Sequence, residues 1–170
     1  MPREILKYPH PALTKKSLEI GEITPELRAL AQEMAELMYD KRGIGLAAPQ
    51  VGECCRLIAL DLSGPDERNE LMFLVNPVLV SQEGQQEEEE GCLSVSNLRA
   101  KVKRAAKVLV RATDLDGNPL EIEAEELKAV CLQHEMDHLD GILFLDHLSR
   151  LKRALYDGKV KKWHRQKKPA

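Results

Sequence analysis

The segment EELKAVCLQHEMDHLDG, residues 125–141, decides how this chain is read. Leu127, Val130, Cys131, His134 and His138 recur at i, i+3, i+4, i+7 and i+11, the spacing that stacks side chains on one helix face. A helix from about 125 to 139 is therefore expected, with Gly141 as its stop. Its two histidines continue the core-facing stripe. They also bracket an HExxH pentapeptide, His134-Glu135-Met136-Asp137-His138. Histidines four residues apart project side by side, so both imidazoles can reach a single metal ion. The helical turn rotates Glu135 by about 100° from His134, beside such an ion without ligating it. From there it can take a proton from a water held at the metal. The competing reading is a structural helix whose buried histidines are satisfied by the core.

Two histidines leave a catalytic metal one protein ligand short of the usual three. No GxxH follows the motif at the distance where metzincins supply a third histidine. Asp146 and His147 lie downstream in a stretch that reads as surface. Upstream, Cys92 sits in Glu90-Gly91-Cys92-Leu93-Ser94, where a flanking glycine lets the backbone approach a ligand closely. A lone cysteine is also a common buried small hydrophobe, so spacing alone leaves the third ligand open. A further segment, Gly43-Ile44-Gly45-Leu46-Ala47-Ala48-Pro49-Gln50, is glycine-rich and apolar with an amide at its end. Its glycine spacing fits neither a dinucleotide loop nor a P-loop. It reads either as a tight turn or as a loop that holds an extended peptide, with Gln50 aimed at the reaction centre.

Around these segments the pattern indicates an α+β fold, with antiparallel sheets and hairpins packed around a central helix carrying HExxH, and a C-terminal helix. Thr24-Pro25 opens a helix whose apolar face carries Leu27, Leu30, Ala31, Met34, Leu37 and Met38, and which ends near Lys41-Arg42 at Gly43. Strands are expected at 56–62, 71–80 and 107–114. The last turns through Leu115-Asp116-Gly117-Asn118 into a strand at 120–124. The acidic stretch 82–90 reads as a solvated loop. A third helix is expected from about Asp146, carrying Leu148, Leu151 and Leu155.

At 170 residues, with 43% hydrophobic and 31% charged residues, the chain has the balance of a soluble globular domain. A net charge of -3 gives no general pull toward DNA or anionic membranes. No apolar run is long enough to span a bilayer, and the start lacks the apolar segment of a secretory signal, so a cytoplasmic protein is expected. The four cysteines, Cys54, Cys55, Cys92 and Cys131, do not form a disulfide framework on this reading. The C-terminal stretch is locally basic, through Arg150, Lys152, Arg153, Lys159, Lys161, Lys162, Arg165, Lys167 and Lys168.

Together, the Gly43–Gln50, Glu90–Ser94 and HExxH segments closely resemble the motifs of the peptide deformylases in order and spacing. The resemblance implies a hydrolase that removes the formyl group from the N-terminal formylmethionine of nascent polypeptides and releases formate. It implies one divalent metal per chain held by Cys92, His134 and His138, with Fe2+ expected in the cell and Zn2+, Ni2+ or Co2+ compatible with the same ligands. It makes Glu135 the general base and acid, and assigns the oxyanion donors to the Gln50 amide and the Leu93 backbone N–H. Gly45 is expected to contact substrate, Ile44, Leu127 and Val130 to line the methionine pocket, and Arg99 to stand near the peptide groove. Glu90 and Arg104 occupy the positions of a supporting ion pair. One departure is visible, since Ser96-Asn97 stands where many members have proline. On this basis residues 1–147 are the catalytic domain and 148–170 a basic helical appendage, which in related proteins docks on the ribosome. An HExxH protease cutting internal peptide bonds is the alternative, and a non-catalytic ribosome-binding protein with a structural metal a third reading.

Overall fold

The computed structural model describes residues 3–167, with only the backbone of Lys167, so Met1, Pro2 and the tail residue Lys168 lie outside the described residues. Helix α1 (Pro25–Asp40) starts as its cap predicts: Thr24 Oγ1 accepts from the Leu27 N–H at 3.1 Å, and Pro25 fills the first turn, where its missing N–H leaves no helical bond unmade. Its end differs from the expectation. Arg42, not Gly43, takes the left-handed turn, at φ 58°. Gly43 is needed for space, because a Cβ there would stand 3.0 Å from Leu93 Cδ1.

Five strands form the main antiparallel sheet in the order β1 (Gly45–Ala47), β2 (Leu57–Leu60), β3 (Met72–Glu83), β6 (Lys107–Thr113) and β7 (Pro119–Glu125). A short helix, α2 (Gly64–Glu67), lies between β2 and β3. Strand β2 is buried at every residue because both faces of the sheet are covered. Leu57, Ala59 and Val75 face α1, while Ile58, Leu60 and Leu74 face α3 (Glu126–Leu139). The α3 helix thus lies against an apolar sheet on one side. The β6–β7 hairpin turns where Asp-Gly predicts, with Gly117 at φ 84° and the Asp114 carboxylate accepting from the Asp116 and Asn118 N–H groups, both at 2.9 Å.

The acidic stretch expected to be a loop is instead the end of β3 and most of β4 (Gln86–Cys92), which pairs with β5 (Val95–Arg104) in a separate two-stranded ribbon. Its polarity hid the strand. Glu87 and Glu89 lie directly opposite Lys103 and Lys101, so cross-strand charge pairs stand where apolar alternation would otherwise be read.

The last helix also differs from the expectation. A 3₁₀ turn (Phe144–His147) precedes α4 (Arg150–Lys167), and Leu151 and Leu155 are 70% and 61% exposed. Tyr156 and Val160 are the buried residues instead. They join Leu13, Val95, Val102 and Phe144 in a third core that fastens the ribbon to α4. Each such side chain contributes roughly 1.5–3 kcal/mol by leaving water.

Candidate metal centre and peptide groove

Three segments far apart in sequence meet beside α3. The helix presents His134, Glu135 and His138; the end of β4 presents Cys92; a 3₁₀ turn after β1 (Ala48–Val51) presents Gln50. One ligand atom each from Cys92, His134 and His138 lies within 4.8 Å of the others. Cys92 Sγ is 3.4 Å from His138 Nε2. One thiol and two imidazoles in that space form a donor set suited to a divalent transition metal. Among the described residues, Asp146 and His147 do not join it: His147 pairs with Asp137 at 2.9 Å and Asp146 with Arg153.

The histidines are prepared differently. His138 is fully buried, and its Nδ1 has no hydrogen-bond partner among the described residues. Burial, with His134 and Arg104 nearby, holds its pKa well below the ordinary histidine value, so the ring is neutral and can offer a lone pair. His134 is also pressed down by burial. Its contacts with Cys92 and Glu90 outweigh that and hold its pKa well above the ordinary value. His134 Nδ1 lies 2.9 Å from Glu90 Oε1, which fixes the ring and leaves Nε2 toward Cys92. Phe144 stacks on the ring, with centroids 6.1 Å apart.

Glu90 is itself held. Burial pushes its carboxyl up, but bonds from His134 and Arg104 prevail and keep its pKa below the ordinary value. Arg104 grips it with two nitrogens, at 2.9 and 3.0 Å, and reaches Asp137 of α3 at 2.5 Å. Nothing in the local pattern singles out Asp137 for this role except its place within HExxH, three residues after His134.

Glu135 stands beside the histidines without joining them, its Oε1 3.8 Å from His134 Nε2. Its Oε2 is buried without a hydrogen-bond partner among the described residues, and burial pushes its pKa up to about 7. Such a carboxyl can accept or deliver a proton near neutrality. Strand β1 passes so close that a Cβ on Gly45 would lie 3.1 Å from Glu135 Cδ.

The Gln50 amide has a defined orientation. Its Oε1 accepts from the Ala47 N–H at 2.9 Å, so Nε2 turns toward Ser94 Oγ at 3.1 Å and Cys92 Sγ at 3.6 Å. Ser94, fully buried, is a supporting residue that sequence reading did not single out.

A cavity of about 690 Å³ opens from this cluster, lined by Ile44, Gly45, Gln50, Cys92, Leu93, Arg99, Leu127, Val130, His134 and Glu135. Cys131 lines it as well, a residue read from sequence only as part of the helix stripe. Leu127, expected on the buried stripe, is 55% exposed and lines this cavity from the first turn of α3. Arg99 is exposed there and pairs with Glu89 at 3.1 Å.

Known proteins carry the same fold. Residues 2–154 match the family described as polypeptide deformylase. The chain is 48% identical over 165 residues to a peptide deformylase of Acidobacterium capsulatum, covering 97% of each. It is 50% identical over 161 residues to one of Desulfotalea psychrophila, covering 94% of this chain and 95% of that one. It matches the crystal structure of a peptide deformylase from Legionella pneumophila at a TM-score of 0.91 and 44% identity, covering 99% of this chain and 100% of that one. It also matches the Synechococcus elongatus peptide deformylase in complex with actinonin at a TM-score of 0.89 and 36% identity, covering 94% and 88% of the two chains. The matched region contains the Cys92 ribbon, the HExxH helix and the start of α4, and the chain belongs to the polypeptide deformylase family.

Proposed function

We propose that this chain removes the N-terminal formyl group from formylmethionine of nascent polypeptides, releasing formate and a free amine. The observation that carries the reading is a buried carboxyl, Glu135, standing beside the Cys92–His134–His138 cluster at the end of a cavity, in a chain of this family. Family membership speaks against the alternative of a protease cutting internal bonds.

Cys92, His134 and His138 would hold the metal, Fe2+ in the cell, with Zn2+, Ni2+ or Co2+ fitting the same donors. Such an ion supplies Lewis acidity toward the attacking water and the formyl oxygen. Glu135 takes the water's proton at Oε2, which has no hydrogen-bond partner among the described residues, and later delivers one to the leaving amine. Gln50 Nε2 and the Leu93 N–H donate to the oxygen that gains charge as the formyl carbon becomes tetrahedral. The amide is preset for this by its bond from Ala47. Ile44, Leu127 and Val130, with the His134 ring, receive the methionine side chain, and an unbranched thioether suits so smooth an apolar wall. Gly45 offers backbone to the substrate, and Arg99 stands where the peptide leaves the cavity.

The substrate class points to the cytoplasm, and no helix among the described residues is long and apolar enough to cross a membrane. The basic residues of α4 suit an approach to ribosomal phosphates that salt would weaken. We take residues 1–147 as the catalytic domain and 148–170 as its basic C-terminal helix and tail.

The test is formate release from formyl-Met-Ala-Ser by protein prepared anaerobically with iron, or reconstituted with nickel, beside a Glu135→Ala variant that keeps its metal. The parent should release formate, and the variant should be slower by about 10²–10⁴-fold. No formate from a folded, metal-loaded parent would overturn the reading, and cleavage of unformylated peptides at internal bonds would transfer it to the protease class.

A further inference from the structure

The segment after Cys92 is suspended from behind by bonds that the reaction does not use. The Tyr8 N–H donates to the Ser94 carbonyl at 2.8 Å, Lys7 Nζ donates to the Leu93 carbonyl, and Tyr156 Oη donates to the Ser96 carbonyl at 2.7 Å. The first two come from the N-terminal segment and the third from α4.

The ribbon needs such support at this point. Its register runs from Glu90↔Ala100 to Cys92↔Val95, so β4 supplies only Gly91 in the interval where β5 supplies residues 96–99. Those residues bulge away from the ladder, and Asn97 takes a left-handed backbone at φ 60°. Ser96, Asn97, Leu98 and Arg99 all line the cavity. No proline stiffens this stretch, which reads Val95-Ser96-Asn97-Leu98-Arg99.

Tyr156 is well placed to stiffen this stretch. It is 4% exposed and packs edge-on to Trp163, centroids 6.0 Å apart. It also lies beside Tyr8, centroids 6.1 Å apart, and the Tyr8 hydroxyl donates to Asp157 of α4 at 2.6 Å. Burial pushes the Tyr156 pKa up to about 12, so its hydroxyl remains a donor over the working range.

We propose that Tyr156 is a positioning residue for substrate. Through the Ser96 carbonyl it fixes the wall formed by residues 96–99, against which the peptide beyond the methionine lies. The α4 helix is then a part of the peptide groove rather than an appendage. The role in binding rests on the deformylase reading; the mechanical link does not.

Tyr156→Phe keeps the ring and removes only the donor. For formyl-Met-Ala-Ser, KM should rise by about 3–10-fold with kcat within about twofold, the effect of one lost hydrogen bond on binding. For formyl-Met amide, which ends before the wall, KM should move by less than about twofold. Amide hydrogen exchange in residues 95–99 should quicken by a similar factor, while α3 and the main sheet keep their protection. Leu155→Ala, on the exposed face of the same helix, should leave both readouts unchanged. Unaltered exchange at 95–99, exchange that rises throughout the protein, or equal KM changes for both substrates would each overturn the proposal. A parent that releases no formate would overturn the deformylase reading instead, with exchange still deciding whether Tyr156 holds the wall.

Discussion

His134 and His138 reach the candidate centre along just over one turn of a single helix, whereas Cys92 reaches it from a ribbon whose own pairing is interrupted beside it. Helical hydrogen bonds set the spacing of the two imidazoles with no help from the rest of the chain. The thiol depends on distant partners: Gln50 across 42 residues, and Arg104, which ties Glu90 of β4 to Asp137 of α3. A metal site built this way has one ligand pair that is locally determined and one ligand whose position is a property of the whole fold.

The link between the two halves can be broken at Arg104. Its side chain is 4% exposed and holds two carboxylates, so Arg104→Ala leaves Glu90 buried without its cation. Loss of a buried partner of this kind costs about 3–5 kcal/mol of stability, read by urea unfolding. Metal affinity should fall by about 10–100-fold in chelator competition, because the carboxylate that orients His134 is loosened. Replacing both partners, Glu90→Leu with Arg104→Met, should restore much of the stability but not the affinity. A double variant that binds metal like the parent would show that the helix alone sets the histidines.

The same contrast explains what was legible in the sequence. The 3.6-residue period exposed α1 and α3, and Asp-Gly exposed the β6–β7 turn, because each is decided by neighbours in the chain. The period also put Leu127 on the buried stripe, since it reports which face of a helix is apolar and not whether that face meets core or cavity. Strand β4 was hidden because its partners are the lysines of β5, and a row of glutamates reads as solvated until those lysines are known to lie opposite. On α4 the leucines drew the eye, yet the burial falls to Tyr156 and Val160, which find a core made by residues from both ends of the chain. Cys92, with Gly91 beside it, is a ligand candidate from the residues alone, but spacing leaves it one among several, and only the resemblance to known motifs singles it out.

A smaller effect separates strand from helix at Glu135. Gly45→Ala puts a methyl 3.1 Å from the Glu135 Cδ and Cγ atoms, so the carboxyl must give way by a few tenths of an ångström. The metal ligands are not touched, and metal content should equal that of the parent. We expect formate release to slow by about 10-fold, mainly in kcat, since small displacements of a catalytic group are felt in the barrier. An unchanged rate would mean that Glu135 tolerates movement on the β1 side.

The smallest expected effect lies outside both ligand-bearing regions, where α1 meets β2. Tyr39 Oη donates to Asp61 at 2.5 Å, and Asp61 also accepts from the Ser63 N–H and hydroxyl. Burial pushes the Asp61 carboxyl up, but these bonds outweigh it and hold its pKa below the ordinary value; burial and Asp61 together push Tyr39 up to about 12. The depressed carboxyl stabilises the fold above its unfolded pKa of about 4, and that contribution is lost as pH falls through the lower folded value. The raised phenol stabilises fully below about pH 10, and its contribution is lost as pH rises through about 12. Tyr39→Phe keeps the ring under Arg68, whose guanidinium lies 4.5 Å from its centroid, and removes only the donor. The deficit should be about 1 kcal/mol between pH 6 and 9, shrinking toward either extreme, in denaturant titrations taken at several pH values. Metal content and KM should stay at the parent's values, because this contact fastens helix to sheet and leaves the ribbon alone. A KM that moved with it would mean that strain in α1 passes through Gly43, against Leu93, into the segment that carries Cys92.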